Sequence, residues 1–173
     1  MSKKYPSIFQ VTFPDIVTFL NVSLGFCSIA ASSLKHWDAA FALLIGAMVM
    51  DYLDGKFARA LNISSELGSN LDSLSDMVSF GVAPAFLLLS KSGFAPVLWM
   101  TSVIFVSCGA FRLGRYNLLH TKVKKGWIGM PITVNAILLP VVGLLTSNIT
   151  LLATVMLLSS ALMVSSIKVK RLF

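Results

Sequence analysis

Charged side chains are scarce in this sequence, and acidic ones are the scarcest. Only 12% of the 173 residues are charged, and seven Asp and Glu face fourteen Lys and Arg. Hydrophobic residues make up 56% of the chain, and the mean hydropathy is +0.84. A soluble domain of this length cannot hide so much apolar surface, so the composition predicts an integral membrane protein. The apolar runs have helical lengths, which favours a helical bundle over a barrel.

Cysteine and histidine are also rare. The two cysteines, Cys27 and Cys108, lie within apolar runs, so a disulfide framework is not indicated. The two histidines, His36 and His120, have no metal-ligand partner at helical spacing, and neither is assigned a role. The first apolar run begins after Pro14 without a convincing cleavage site, so no cleavable signal peptide is expected.

The apolar runs predict six membrane-spanning helices joined by short loops, in one domain over residues 1–173. Residues 1–14 mix lysines with aromatic residues and predict a short interfacial segment. Pro84 predicts a kink or a local break in the third helix. The six predicted helices cover residues 15–33, 38–60, 68–90, 94–113, 129–147 and 149–167.

The basic residues predict the orientation of this bundle. One side carries only Lys35 and Lys91. The opposite side carries twelve basic residues, namely Lys3, Lys4, Lys56, Arg59, Arg112, Arg115, Lys122, Lys124, Lys125, Lys168, Lys170 and Arg171. This bias places both termini in the cytoplasm. In a membrane protein the net charge of +7 indicates contact with anionic lipids rather than with nucleic acid.

Four of the few acids are concentrated between Asp51 and Asp76, at the edges of two apolar runs. Carboxylates inside a membrane are costly and must face a polar cavity, a partner or a metal. Asp51 and Asp54 share one helix face, as do Asp72 and Asp76, because residues three or four apart are neighbours on a helix. The turn-forming residues 61–70 between the pairs predict two antiparallel helices that meet at a cytoplasm-facing polar cleft.

Two pairs of carboxylates in one cleft predict a hard oxygen-ligand site for Mg²⁺ or Mn²⁺. One or two ions fit this ligand set, and a pair of ions typically stabilises an in-line displacement at phosphorus. The sequence around the aspartates therefore favours phosphoryl-type chemistry.

The pattern D-x-x-D-G-x-x-A-R-x8-G-x3-D-x3-D resembles the signature of the CDP-alcohol phosphotransferases. All eight fixed positions are filled, by Asp51, Asp54, Gly55, Ala58, Arg59, Gly68, Asp72 and Asp76. Within this family, the chain most resembles the phosphatidylserine synthase branch. The features that it shares with this branch are DMVSFGVAPAF after Asp76, FRLGRYN over residues 111–117, GMP at residues 129–131 and the early Thr18–Asn21–Gly25–Phe26 pattern.

The resemblance implies a transferase that makes phospholipids. A CDP-linked lipid, CDP-diacylglycerol or CDP-archaeol, donates its phosphatidyl group to an alcohol, and CMP leaves. For this branch the alcohol is L-serine. The resemblance also implies a divalent metal, Mg²⁺ or Mn²⁺, and a homodimer.

Residue roles follow from this chemistry. Asp51, Asp54 and Asp72 are expected to bind metal, because a diphosphate and four carboxylates repel each other without cations. Asp76 is expected to act as the general base on the serine hydroxyl while also touching a metal. The CDP-lipid is expected to contact a side-chain-poor helix face and a basic residue, formed by Gly55, Ala58, Arg59 and Gly68.

The acceptor requires a group that recognises its carboxylate. Arg112 and Arg115 lie three residues apart on one helix face, and a guanidinium matches a carboxylate in bidentate geometry. One or both are expected to bind serine, with Asn117 and Ser79 as further candidates. The competing interpretation of the two arginines is positive-inside anchoring.

Two other functions remain open at this point. The first keeps the family but changes the acceptor to glycerol phosphate, inositol phosphate or another alcohol. The second is a small cation transporter with an acidic intramembrane site. The transporter does not explain the glycines or Arg59 beside the aspartates.

Overall fold

The computed structural model describes residues 12–61, 66–120, 127–166 and 168–169. Most of the expected interfacial segment, the middle of the connection after Leu61 and the basic residues Lys122, Lys124 and Lys125 lie outside this range. The helices are α1 (Phe13–Ser33), α2 (Trp37–Ala60), α3 (Glu66–Asp76), a π-helical segment (Met77–Val82), α4 (Ala83–Lys91), α5 (Pro96–His120), a 3₁₀ turn (Ile132–Val134), α6 (Asn135–Leu145) and α7 (Ile149–Val164). Two short strands, β1 (Trp127–Ile128) and β2 (Lys168–Val169), pair antiparallel.

Apart from these two short strands, the described residues form six helical rods, which confirms the all-helical class. Three helices are long and apolar enough to cross a membrane, as judged by length and composition: Phe13–Ser33, Leu67–Lys91 and Pro96–Leu118. These helices and the apolar composition support an integral membrane protein. α2 has sufficient length, with 24 residues, but it carries several charged side chains in its second half.

The last two rods are shorter than predicted. α6 has 11 residues after the 3₁₀ turn, and α7 has 16. At 1.5 Å per residue, α7 spans about 24 Å, less than the roughly 30 Å hydrocarbon core. The backbone at Gly129 has a φ of +79° and Pro131 is extended, so helix begins only at Ile132. α5 is longer than predicted at its C-terminal end and includes Arg112, Arg115 and Asn117.

The interruption expected at Pro84 takes the form of the π-helical segment. Proline lacks an N–H group and clashes with the carbonyl four residues earlier. Here the six residues before α4 adopt π geometry, so the rod from Glu66 to Lys91 continues instead of breaking. The π segment begins directly after Asp76, and such segments are frequent at functional sites.

The rod formed by α3, the π segment and α4 is the most buried of the apolar helices, and α1 packs against it and against α2. Ser75 and Ser79 each donate a hydrogen bond to a backbone carbonyl of α1, that of Thr18 at 3.2 Å and that of Asn21 at 3.1 Å. A Cβ at Gly25 would overlap Ser79 Oγ, so glycine allows this close approach. α5 packs against α7, and the apolar core includes Leu44, Phe80, Leu88, Phe105 and Leu139.

Candidate active site

A cavity of about 530 Å³ lies at the end of the bundle where α2 ends and α3 begins. Its walls come from α1, α2, α3, α5 and the segment around the 3₁₀ turn. Every fixed position of the motif lines it, namely Asp51, Asp54, Gly55, Ala58, Arg59, Gly68, Asp72 and Asp76. The fold thus brings both halves of the motif to one space.

Three carboxylates form a compact cluster in this cavity. One oxygen from each of Asp51, Asp72 and Asp76 lies within 4.8 Å of the others. Ligand oxygens about 2.1 Å from a Mg²⁺ ion lie roughly 3 to 4 Å apart in an octahedron, so small side-chain adjustments suffice to surround one ion. Asp76 Oδ1 is buried and has no hydrogen-bond partner among the described residues. The donor set therefore fits a divalent cation.

Asp54 is held differently. Its Oδ2 accepts a hydrogen bond of 2.8 Å from Thr18 Oγ1 on α1, and only 5% of the residue is exposed. It lines the same cavity but lies outside the group of three. Its expected role as a metal ligand remains a prediction.

The residues expected to contact the CDP-lipid line one wall. A Cβ built at Gly55 would lie 3.5 Å from Arg59 Nη1, so this guanidinium lies beside the glycine on the face of α2. Ala58 lines the cavity on the same helix, and Gly68 lines it on α3. The wall combines little side-chain bulk with one positive charge, and both properties suit a diphosphate.

Arg112 is the basic residue that α5 contributes to the cavity. It is 5% exposed, and its Cζ lies 5.6 Å from the centre of the Tyr116 ring, which also lines the cavity. Arg112 and Asp76 are close enough for their opposite charges to interact. A cation thus lies beside the aspartate that is expected to act as the base.

The described lining of the cavity does not include three of the expected serine contacts. Arg115 donates hydrogen bonds to backbone carbonyls at the end of α7. Ser79 is fully buried against α1. Asn117 Oδ1 accepts a 3.1 Å hydrogen bond from Ser73, which does line the cavity. Direct contact between serine and any of these three side chains remains a prediction.

The structure adds lining residues to which sequence reasoning gave no role at the site. Asp15 lines the cavity from the N-terminal turn of α1, and its Oδ2 accepts 2.7 Å hydrogen bonds from the backbone N and Oγ1 of Thr12. The signal for Asp15 was an acid at the start of the first apolar run. The other additions are Thr12, Pro14, Thr18, Tyr52, Ser69, Ser73, Leu113, Tyr116, Pro131 and Thr133.

Comparison with known proteins identifies the family. Residues 11–166 match the family model described as CDP-alcohol phosphatidyltransferase. The chain belongs to this family. The family expected from the aspartate motif is thereby confirmed, and the match covers every helix that lines the cavity.

Curated relatives are 35–38% identical to this chain over the aligned residues. A CDP-diacylglycerol–serine O-phosphatidyltransferase of Methanocaldococcus jannaschii is 38% identical over 91% of this chain and 73% of its own length. An archaetidylserine synthase of Methanothermobacter thermautotrophicus is also 38% identical, over 93% of this chain and 70% of its own length. A CDP-diacylglycerol–serine O-phosphatidyltransferase of Helicobacter pylori is 35% identical over 79% of this chain and 59% of its own length.

Proposed function

We propose that this protein transfers a phosphatidyl group from CDP-diacylglycerol or CDP-archaeol to the hydroxyl of L-serine. CMP is the other product. The observation that carries the proposal is the convergence of all eight motif residues on one cavity, with Arg112 beside Asp76. The names of the relatives, serine O-phosphatidyltransferase and archaetidylserine synthase, support serine as the acceptor.

The serine hydroxyl oxygen attacks the phosphorus next to the lipid in this reaction. A new O–P bond forms, the bond between this phosphorus and the oxygen bridging to CMP breaks, and CMP leaves with the bonding electrons. Asp76 takes the hydroxyl proton. Asp76 lies close enough to Arg112 for their charges to interact, so a serine held by Arg112 can bring its hydroxyl within hydrogen-bond reach of this base.

The remaining residues bind and orient the substrates. Arg59 pairs with a phosphate oxygen, and the small Gly55 and Ala58 let the diphosphate approach α2. Arg112 pairs with the serine carboxylate and thereby aims the hydroxyl toward Asp76. Asp51, Asp72 and Asp76, with Asp54 as a fourth candidate, would hold Mg²⁺ or Mn²⁺. When bound, such ions polarise phosphoryl oxygens and neutralise the departing phosphate.

A phosphorylated acceptor is the second candidate within the family. Arg59 and Arg112 both line the cavity and can serve a second phosphate. Cation transport is disfavoured, because transport gives no reason for the side-chain-poor wall or for a guanidinium beside the carboxylates.

We also propose that all six rods cross the membrane, that the cavity opens to the cytoplasm and that two copies associate. The basic residues on the cavity side support this orientation. The orientation is tested in intact cells with the variants Lys35→Cys and Lys56→Cys, each made in a chain that also carries Cys27→Ser and Cys108→Ser. Labelling by an impermeant maleimide is expected only at position 35, and labelling only at position 56 would invert the topology. Chemical crosslinking in native membranes tests the homodimer.

The activity test is release of CMP by the purified protein with Mn²⁺. Each donor lipid is paired with L-serine, glycerol 3-phosphate or inositol phosphate. We expect CMP release that depends on serine and is lost on chelation. Release with another acceptor alone would overturn the serine assignment but keep the transfer chemistry, whereas no release with any pair would overturn the proposed transferase.

A further inference from the structure

The end of α7 is joined to α5 through Arg115. Its Nη1 donates to the carbonyl of Val164 at 2.9 Å, and its Nη2 donates to those of Met163 and Ser165, both at 3.1 Å. The last carbonyls of a helix have no partner within that helix, and a cation there is favourable. The guanidinium of Arg115 is thus engaged with backbone carbonyls.

The same end of α7 holds the chain segment that precedes the 3₁₀ turn. The Met130 N–H donates to the Leu162 carbonyl at 3.1 Å. Gly129 has a φ of +79°, and a Cβ there would overlap the Met163 carbonyl oxygen and lie 3.0 Å from Arg115 Nη2. Gly129, Met163 and the guanidinium therefore form one tight contact, which only glycine permits.

This segment leads directly into the wall of the cavity. Pro131 and Thr133 line the cavity, and we call these two residues the acceptor wall. Ile132 between them is fully buried and packs against α5, since a Cβ at Gly109 would lie 2.9 Å from its Cδ1. The acceptor wall thus lines the same cavity as Arg112.

We propose that Arg115 is a positioning residue that holds the acceptor wall in place through the end of α7 and does not itself touch serine. This inference rests on the proposed function only for the identity of the acceptor. It assigns different tasks to two arginines that the sequence treats alike: Arg112 binds the substrate, and Arg115 shapes the wall beside it.

Hydrogen exchange tests the structural part without any catalytic readout. In the full chain, Arg115→Ala is expected to raise the exchange rate of the Met130 amide at least tenfold, because its partner Leu162 lies on the helix end that Arg115 holds. Arg112→Ala and the exposed Ser107→Ala are the matched controls on α5, and both should leave that rate unchanged. An unchanged rate in Arg115→Ala would overturn the proposal.

A milder variant covers the case in which Arg115→Ala does not fold. Arg115→Gln keeps an amide donor but cannot span three carbonyls. It is expected to raise Met130 exchange by a smaller factor than the alanine variant. Exchange at the wild-type rate in Arg115→Gln would contradict the proposed link.

Kinetics then separate positioning from binding. Arg115→Ala and Gly129→Ala damage the same contact from its two sides, so both should raise the KM for serine by similar factors. The double variant should raise the KM for serine no more than the more damaging single variant does, since the effects of coupled residues do not add. Effects that multiply would instead indicate that Arg115 binds serine directly. If the wild type uses no serine at all, the proposed function fails while the exchange result still stands.

Discussion

Asp54 and Asp76, one from each half of the aspartate motif, have different surroundings. On α2, Asp54 accepts a hydrogen bond from Thr18 and is held against α1. On α3, Asp76 has one buried oxygen without a partner in the described part of the chain, and the helix becomes a π helix directly after it. The comparison teaches that a carboxylate with a satisfied oxygen suits a fixed supporting role. A carboxylate with an unsatisfied oxygen is available for a proton or a cation.

The largest expected effect tests Asp76, the carboxylate with the unsatisfied oxygen. Asp76→Asn removes the proposed base but keeps the size of the side chain, and it should lower kcat for serine-dependent CMP release by about 10³-fold. Circular dichroism and elution volume control for folding. Activity within tenfold of the wild type would show that Asp76 is not the general base.

The next effect concerns cation binding. Asp51→Ala and Asp72→Ala each remove one of the three clustered oxygens and should weaken Mn²⁺ binding by roughly a hundredfold, as measured by electron paramagnetic resonance. Asp54→Ala should weaken it less, because Asp54 lies outside the cluster. Equal losses in all three variants would place Asp54 among the primary ligands and erase its difference from the three clustered aspartates.

Arg112→Ala probes the cation beside Asp76. Loss of a charge-assisted hydrogen bond of about 1.5–3 kcal/mol should raise the KM for serine by roughly 10- to 100-fold. The KM for the CDP-lipid should change little, and Ser107→Ala serves as the control. A comparable rise for both substrates would assign Arg112 to the donor or to general electrostatics.

The smallest effect tests the hydrogen bond that holds Asp54. Thr18→Val keeps the shape of the side chain but removes the hydroxyl that donates to Asp54. A hydrogen bond to a charged group contributes about 1.5–3 kcal/mol in full. Because the Thr18 hydroxyl only orients Asp54, we expect a small part of this free energy to reach the transition state, so kcat/KM should fall by roughly two- to tenfold. A loss as large as that of Asp76→Asn would show that the support of Asp54 is as important as the base itself.

The first predicted helix and the two that carry the motif could be predicted closely from the sequence. The predicted ranges 15–33, 38–60 and 68–90 agree within two residues with Phe13–Ser33, Trp37–Ala60 and Glu66–Lys91. Long apolar runs bounded by turn-forming residues carry a strong local signal. The fifth helix was predicted to begin too early, because apolar composition does not distinguish the extended segment at Gly129–Pro131 from helix. The sixth was predicted to end at residue 167, whereas α7 ends at Val164.

In the candidate site too, some residues could be predicted from the sequence and others could not. The spacing of the aspartates, together with Gly55, Ala58 and Arg59, was sufficient to predict one cleft, and the structure places all of them in one cavity. Thr18 and Thr133 could not be assigned in this way, because each reaches the cavity only through the packing of another element.

The sequence by itself determined the apolar helical class, the family and the pairing of the aspartates, since these depend on composition and on spacing within a helix. Only the tertiary structure separated Arg112, which lines the cavity, from Arg115, which does not. Three residues apart on α5, the two side chains share a helix face, so spacing alone cannot separate them. The end of α7 packs beside Arg115 and offers it three carbonyls, whereas Arg112 lines the cavity next to Asp76.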